Sequence, residues 1–422
     1  MASMNNLIIP PPTTLGSPWT LSPLRTPSPS LLYTCIASLH RPEGQIHAVA
    51  VSKDLVFTGS DSCRIRAWRK PDCTERGCLK AGSGEVLSML AHGDMLFSSH
   101  EDHKIRTWNI SASDDFLSRR VSTLPKRRSS FPWFSRANNP NQQHKDCISC
   151  MAYYCEDGLL YTGSYDKTVK VWRVSDNRCI DSFVAHDDHV NAVVANQDDG
   201  CVFTCSSDGS IKIWRRVYKE SYHTLTLTLR FQPSPVNALA LSSCSDAGVL
   251  YSGSSDGVIN FWEKEWMSYR FNHGGFLQGH RFAILCLTSV QRLIFSGSAD
   301  ATIRLWRREE GSCFHECLAV IDGCGGPVKC LAACLEMDKV NVKGYLVYSA
   351  SLDKSFKVWR VKVLPEEINK AYLDDDNNSE HGSNTNGNRN SNLRIREREL
   401  YEMSPVLSPS WVEKRRQSSF SQ

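Results

Sequence analysis

The chain has 422 residues, 41% of them hydrophobic, and a net charge of +4. That length builds one large or two ordinary domains, and so small a charge exerts no global pull toward nucleic acid. No run approaches the roughly 18 apolar residues of a membrane-crossing helix, and the start lacks the basic-then-apolar pattern of a secretory signal.

The 17 cysteines are odd in number and scattered, which argues against a disulfide framework and for a reducing compartment, cytoplasmic or nuclear. Residues 1–42 contain no Asp or Glu and are rich in Pro, Ser and Thr. Such a segment cannot bury enough surface to offset its ordering entropy, so 1–30 reads as a disordered tail. An organelle transit peptide is the competing reading. A single basic residue before position 41 (Arg25) and the crowded prolines weigh against it.

From residue 31 onward one pattern recurs: a strand, a tight turn and a second strand ending in tryptophan. It runs through FTGSDSCRIRAWR (57–69), FSSHEDHKIRTWN (97–109), LYTGSYDKTVKVWR (160–173) and FTCSSDGSIKIWR (203–215). It continues through YSGSSDGVINFWE (251–263), FSGSADATIRLWR (295–307) and YSASLDKSFKVWR (348–360). The tryptophans Trp68, Trp108, Trp172, Trp214, Trp262, Trp306 and Trp359 are 40, 64, 42, 48, 44 and 53 residues apart. A repeat of about 40–45 residues built from short strands is the signature of a propeller blade. One blade cannot bury both faces of its sheet, whereas seven in a ring can. The expected fold is therefore all-β, a seven-bladed propeller over residues 31–362. The chain turns polar after Trp359, so the seventh blade lacks an outer strand. Residues 31–39 supply one, because CIASLHRPEG (35–44) parallels CIDSFVAHDD (179–188).

Between blades 2 and 3 lies an insertion, 125–143. From Phe116 to Lys145 there are seven Lys or Arg and no acid, which leaves −3 for the rest of the chain. Lys126, Arg127 and Arg128 suit an anionic surface or a nuclear import signal. Phe131, Trp133 and Phe134 interleave aromatics with base, as single-stranded nucleic-acid binders do. HKDCISC (144–150) has a zinc-like spacing, but Cys147 and Cys150 are three apart on one expected strand and face opposite sides. No metal and no cofactor are expected. Residues 363–422, which carry DDDNNSEHGSNTNGNRNSN (374–392), read as a second disordered tail. RRSS (127–130), RRQSS (415–419) and six Ser/Thr-Pro pairs are candidate phosphorylation sites.

These repeats resemble the WD40 family. That resemblance implies a hydrogen-bonded tetrad in each blade: a His before the first strand, a Ser or Thr, a turn Asp and the Trp. The positions are His144, Thr162, Asp166 and Trp172 in blade 3; His186, Thr204, Asp208 and Trp214 in blade 4; His280, Ser296, Asp300 and Trp306 in blade 6. Blades 2, 5 and 7 keep Ser98, Asp102 and Trp108; Ser252, Asp256 and Trp262; Ser349, Asp353 and Trp359, without the His. In blade 1 Ser62 occupies the Asp slot and Asp61 sits one residue early. Ser/Thr, His and Asp together also suggest a hydrolase triad. A spacing copied around a ring, each time with Trp, reads instead as structure, and no enzyme is expected.

The resemblance also implies a protein-binding top face. Two residues flank the first-strand aliphatic of each blade and a third precedes the turn Asp. This assigns Gln45, His47, Asp61, Glu85, Leu87, Glu101, Tyr165, His189, Asn191, Asn237, Lys329 and Leu352. Within the family the closest likeness is to the plant WD40 proteins named after JINGUBANG. It rests on LVFTGSDSCRIRAW, AHDDHVNAVV, SSDGVINFWE with LQGHRFAILCL, PVKCLA with VYSASLDKSFKVW, and SPWTLSP. It implies a regulatory scaffold of the pollen-germination type, acting as a monomer through protein contacts. Two alternatives are a ubiquitin-ligase substrate receptor and a nucleic-acid-associated regulator using the basic loop. Arg69, Arg173, Arg215, Arg307 and Arg360 follow their tryptophans and read as a solvated bottom rim, with an interrupted basic ring for an acidic partner as the sharper alternative.

Overall fold

The structure is a computed structural model that describes residues 31–41, 44–82, 84–111, 116–126, 142–217, 220–242, 248–265, 270–338, 341–363 and 406–407. Strand β1 (Leu31–His40) comes first. Blade 1 follows with β2 (Ile46–Val51), β3 (Leu55–Ser60), β4 (Arg64–Arg69) and β5 (Glu75–Lys80). Blade 2 has β6 (Val86–His92), β7 (Met95–His100), β8 (Ile105–Ser111) and β9 (Leu117–Leu124). Blade 3 has β10 (Ile148–Tyr154), β11 (Leu159–Ser164), β12 (Thr168–Arg173) and β13 (Arg178–Val184). Blade 4 has β14 (Val190–Ala195), β15 (Val202–Ser206), β16 (Ile211–Arg216) and β17 (His223–Leu229). Blade 5 has β18 (Val236–Ser242), β19 (Val249–Ser254), β20 (Ile259–Lys264) and β21 (Phe271–Leu277). Blade 6 has β22 (Ile284–Val290), β23 (Leu293–Ser298), β24 (Thr302–Arg308) and β25 (His315–Asp322). Blade 7 has β26 (Val328–Asp338), β27 (Asn341–Ser351) and β28 (Ser355–Val363). The described residues contain no helix.

Every blade is an antiparallel meander. In blade 7 the fourth strand is β1, paired with β28 from Leu31 opposite Val363 to His40 opposite Ser355. The ring is thus closed by joining residues more than 300 positions apart. Val406–Leu407 (β29) stand beside blade 5 as a short fifth strand, opposite Leu277 and Phe276. The remaining tail residues, their Ser-Pro sites included, lie outside the described residues.

The core is seven clusters, one at each junction between blades, and one tryptophan anchors each. Trp172 packs with Phe97, Ile105, Leu124, Ile148 and Leu160 between blades 2 and 3. Trp359 joins Phe295, Ile303, Leu305 and Leu31 between blades 6 and 7. Trp68 joins Phe356, Val358 and Tyr348 where blade 7 meets blade 1. Both faces of every middle strand are therefore buried, as β11 shows along its whole length. The glycine in TGS has a matching cause. A Cβ on Gly163 would stand 2.7 Å from Val190 Cγ1 of the next blade, so the blades approach there closer than any side chain permits.

Candidate functional site: the top rim and the networks beneath it

Below the rim lie the polar networks. In blade 3 the Trp172 Nε1–H donates to Thr162 Oγ1 (3.0 Å), Thr162 is hydrogen-bonded to His144 Nε2 (2.8 Å), and His144 Nδ1 to Asp166 Oδ2 (2.9 Å). Blade 4 repeats this through Trp214, Thr204, His186 and Asp208, and blade 6 through Trp306, Ser296, His280 and Asp300. The hydroxyls are fully buried, so no substrate reaches these triad-like sets. Burial pushes His144, His186 and His280 below the ordinary imidazole range, against the pull of their aspartates. Burial pushes the aspartates up, but hydrogen bonds and charge from the partners outweigh it: Asp208 is lowered to about 2, and Asp166 and Asp300 also fall.

The blades without the expected His solve the same problem differently. In blade 2, Gly82 stands four residues before Val86, and Arg106 fills the space beside it. Arg106 pairs with Asp102 through two hydrogen bonds (3.1 and 2.8 Å), and Ser98 is bonded to His100 from its own strand (2.8 Å). Blade 2 lacks the His before its first strand, as expected, and alternation on β7 brings His100 to the face of Ser98 in its stead. In blade 7 the buried Cys324 stands four residues before Val328. A second set of interblade networks carried no sequence signal. Tyr161 OH is bonded to His223 Nε2 (3.1 Å), whose Nδ1 meets Asp181 (2.9 Å), and Tyr251 pairs with His315 (2.8 Å).

These buried imidazoles make the fold acid-sensitive. Burial, then the Arg106 charge, lowers His100 to about 3; burial lowers His273 and His315 each to about 4. Each folded-state value lies below the unfolded one near 6.5, so the unfolded chain binds more protons on acidification. The stability is full above pH 6.5 and falls as pH drops below it. At pH 5.5 each of the three costs on the order of 1 kcal/mol. The melting temperature is expected to fall by several degrees from pH 7.5 to 5.5. An unchanged value by circular dichroism would contradict this.

On the rim, the inner strand of all seven blades carries a β-bulge at the same place. The bulged residues are His47, Leu87, Ser149, Asn191, Asn237, Leu285 and Lys329. These are the second flanking positions, and a bulge re-aims its side chain. Two of them also reach the neighbouring blade. Asn191 Nδ2 donates to the Val236 carbonyl and Asn237 Nδ2 to the Ile284 carbonyl, both at 2.9 Å. Ser149 likewise reaches the Val190 carbonyl. Their donors latch each blade to the next, where buried carbonyls need partners.

Elsewhere the rim is open. Glu101, Tyr165, His189 and Lys329 are exposed, while Gln45, Leu87 and Leu352 are half-buried. Tyr165 stacks on His189 with ring centroids 4.6 Å apart. Asp61 accepts the Gln45 N–H (2.9 Å) and is hydrogen-bonded to His47, and Glu85 stands 3.9 Å from His47. Burial raises Asp61, but the bonds from Gln45 and His47 outweigh it and hold it below the usual carboxylate range. Phe282, 62% exposed, precedes the first strand of blade 6, and the motif did not mark it. Lys126 is exposed; Arg127, Arg128, Ser129 and Ser130 lie outside the described residues.

At the opposite rim the expected basic ring is neutralised. Arg69 pairs with Asp72 (2.6 Å), Arg173 with Asp176 (3.5 Å) and Arg215 with Asp199 (3.8 Å). Arg307 pairs with Glu316 (3.0 Å) and Arg360 with Glu336 (2.7 Å). Acids from adjoining turns and strands meet each guanidinium, although Asp199 is shared with Lys264 (2.8 Å) and Asp176 with Arg178 (4.0 Å).

A closed ring of four-stranded blades, each with an indole bonded to a buried hydroxyl on the neighbouring strand, defines a repeat β-propeller built as a rigid platform. The sequence pattern of the WD40 family (WD domain, G-beta repeat) matches residues 140–173, 177–215, 223–263, 272–307 and 315–360, which are blades 3 to 7. The chain belongs to the WD40-repeat family. Blades 1 and 2 lie outside the matched stretches; in blade 1 the turn Asp departs from the pattern. The chain is 28% identical over 138 residues to pre-mRNA-processing factor 19 of Bos taurus, covering 32% of this chain and 23% of that protein. It is 26% identical over 182 residues to WD repeat-containing protein pop1 of Schizosaccharomyces pombe, covering 36% and 23%. The chain thus spans about a quarter of the length of the curated relatives it matches. Among the described residues no helix is long and apolar enough to cross a membrane.

Proposed function

We propose that this chain is a non-enzymatic interaction scaffold whose top rim, from Asp61 to His189, receives a protein partner. One observation carries the reading. Across blades 1 to 4 the rim presents carboxylates at Asp61, Glu85 and Glu101 beside the exposed Tyr165–His189 stack, whereas the bottom-rim arginines are each met by an acid. Charge with an adjoining aromatic platform is what interfaces use for steering and anchoring. The test is affinity capture with wild type, a Glu85→Lys/Glu101→Lys/His189→Ala variant and a bottom-rim Arg173→Glu/Arg178→Glu variant. Partners are expected to be lost from the top-rim variant alone. Loss from the bottom-rim variant alone, or from neither, would overturn the proposal. The finer reading, a plant regulator akin to the JINGUBANG group, rests on the sequence motifs quoted above.

A second reading is a nuclear, nucleic-acid-associated role. The likeness to a pre-mRNA-processing factor and the basic insertion from Lys126 support it. It requires retention on RNA that falls steeply with salt. Against a ubiquitin-ligase receptor stands the absence of Asp after any tryptophan.

A further inference from the structure

We propose that His47, Asp61 and Glu85 form a binding site for one divalent transition-metal ion of the zinc class at the mouth of the ring, between blades 1 and 2. Their ligand atoms, one imidazole nitrogen and two carboxylate oxygens, all lie within 4.8 Å of one another. They come from three separate segments: the bulge of β2, the turn after β3 and the residue before β6. Blade 1 breaks the repeat at these points. Its turn carboxylate stands one residue early and faces the rim instead of a buried imidazole, and His47 is the one imidazole among the seven bulge positions.

The surroundings hold the donors in place. The Gln45 N–H occupies Asp61 Oδ2, which leaves Oδ1 turned to His47. Gly44 lies against the back of that carboxylate, where a Cβ would come within 2.9 Å of Asp61 Cβ and Oδ2. The His47 carbonyl accepts the Cys330 thiol (3.0 Å), and the Glu85 carbonyl accepts the Glu101 N–H (3.1 Å). Such outer contacts orient metal ligands.

The donor set selects the ion. Two carboxylates offset a divalent charge, and an imidazole nitrogen favours zinc and its neighbours over calcium or magnesium, which take all-oxygen shells. Ligands at about 2.0–2.1 Å from a tetrahedral ion stand about 3.4 Å apart, so Glu85 closes in from 3.9 Å while the hydrogen-bonded His47 and Asp61 open to admit the ion. The ion replaces the proton shared by His47 and Asp61, which leaves to solvent. The fourth position faces water at the half-exposed rim.

The test uses the full chain, stripped with chelator and titrated with Zn2+ by calorimetry and with Co2+ by visible absorption. One equivalent is expected to bind, with a cobalt spectrum of nitrogen and oxygen ligands. His47→Ala, Asp61→Asn and Glu85→Gln are each expected to weaken binding by more than about 100-fold, beyond the usual cost of losing an outer-shell partner. Cys147→Ser removes a ligand from the neighbouring His103, Asp146 and Cys147 group and is expected to change nothing. Unchanged melting temperatures show that the variants remain folded. Sulfur-to-cobalt charge-transfer bands, equal binding by all four variants, or no binding by wild type would each overturn the proposal.

Discussion

Deleting residues 1–40 is expected to lower stability by about 5 kcal/mol or more, whereas deleting residues 1–28 leaves it unchanged. Strand β1 is the only part of the described chain that covers the outer edge of blade 7. Leu31 is 1% exposed and sits in the cluster of Trp359, Val361 and Leu293, while Ile36 and Leu39 pack against the cluster holding Phe356 and Val358. Burying one leucine contributes about 1.5–3 kcal/mol. The deletion also removes the register from Leu31 to His40 and uncovers an edge that can pair with other chains. It further unlocks the ring, because β1 is where the two ends of the propeller meet. Thermal denaturation of both truncations reads the effect. A difference of about 10 °C between them is expected, and equal melting temperatures would contradict the closure.

Thr162→Val is expected to cost about 4 kcal/mol, roughly twice the cost of Thr58→Val. The two hydroxyls occupy equivalent places and each accepts an indole N–H, from Trp172 at 3.0 Å and Trp68 at 2.9 Å. Their surroundings differ. Asp166 accepts a bond at His144 Nδ1, so His144 Nε2 is the acceptor and Thr162 donates to it. Valine keeps the shape but orphans two buried groups, an indole donor and an imidazole acceptor, at about 1–3 kcal/mol each. In blade 1 the described contacts of Thr58 end at Trp68, so one group is orphaned. Thr162→Ser is expected to remain near wild type. Chemical denaturation measures the pair, and equal shifts in midpoint would show that the network adds nothing beyond the Trp–Thr bond.

The ring was legible because its signals are local and repeated. Alternating strands, a Ser/Thr four residues before Asp and a Trp six after it are contacts within one hairpin, so linear spacing reports them directly. The tetrads of blades 3, 4 and 6 belong to this class, whereas the outer strand β1 was legible because CIASLHRPEG repeats the outer-strand pattern CIDSFVAHDD. What linear spacing could not report was direction. His100 lies two residues from Ser98 on one strand, and only the space beside Gly82, filled by Arg106, makes it the partner in blade 2. Asn191 and Asn237 match the rim motif, yet their donors turn sideways, because a bulge aims them at the neighbouring blade's carbonyls.

The same division holds at both rims. Five arginines after tryptophans suggested a positive ring. Their partners, such as Asp199 for Arg215 and Glu336 for Arg360, are brought to them from other turns and strands. By itself the sequence determined the blade, its number and the closure of the ring, since each follows from a hairpin pattern repeated along the chain. Only the tertiary structure decided which side chains stay exposed on the rim, which latch the blades and which meet at His47, Asp61 and Glu85. Those outcomes depend on distances between segments, which exist only once the blades have packed against one another.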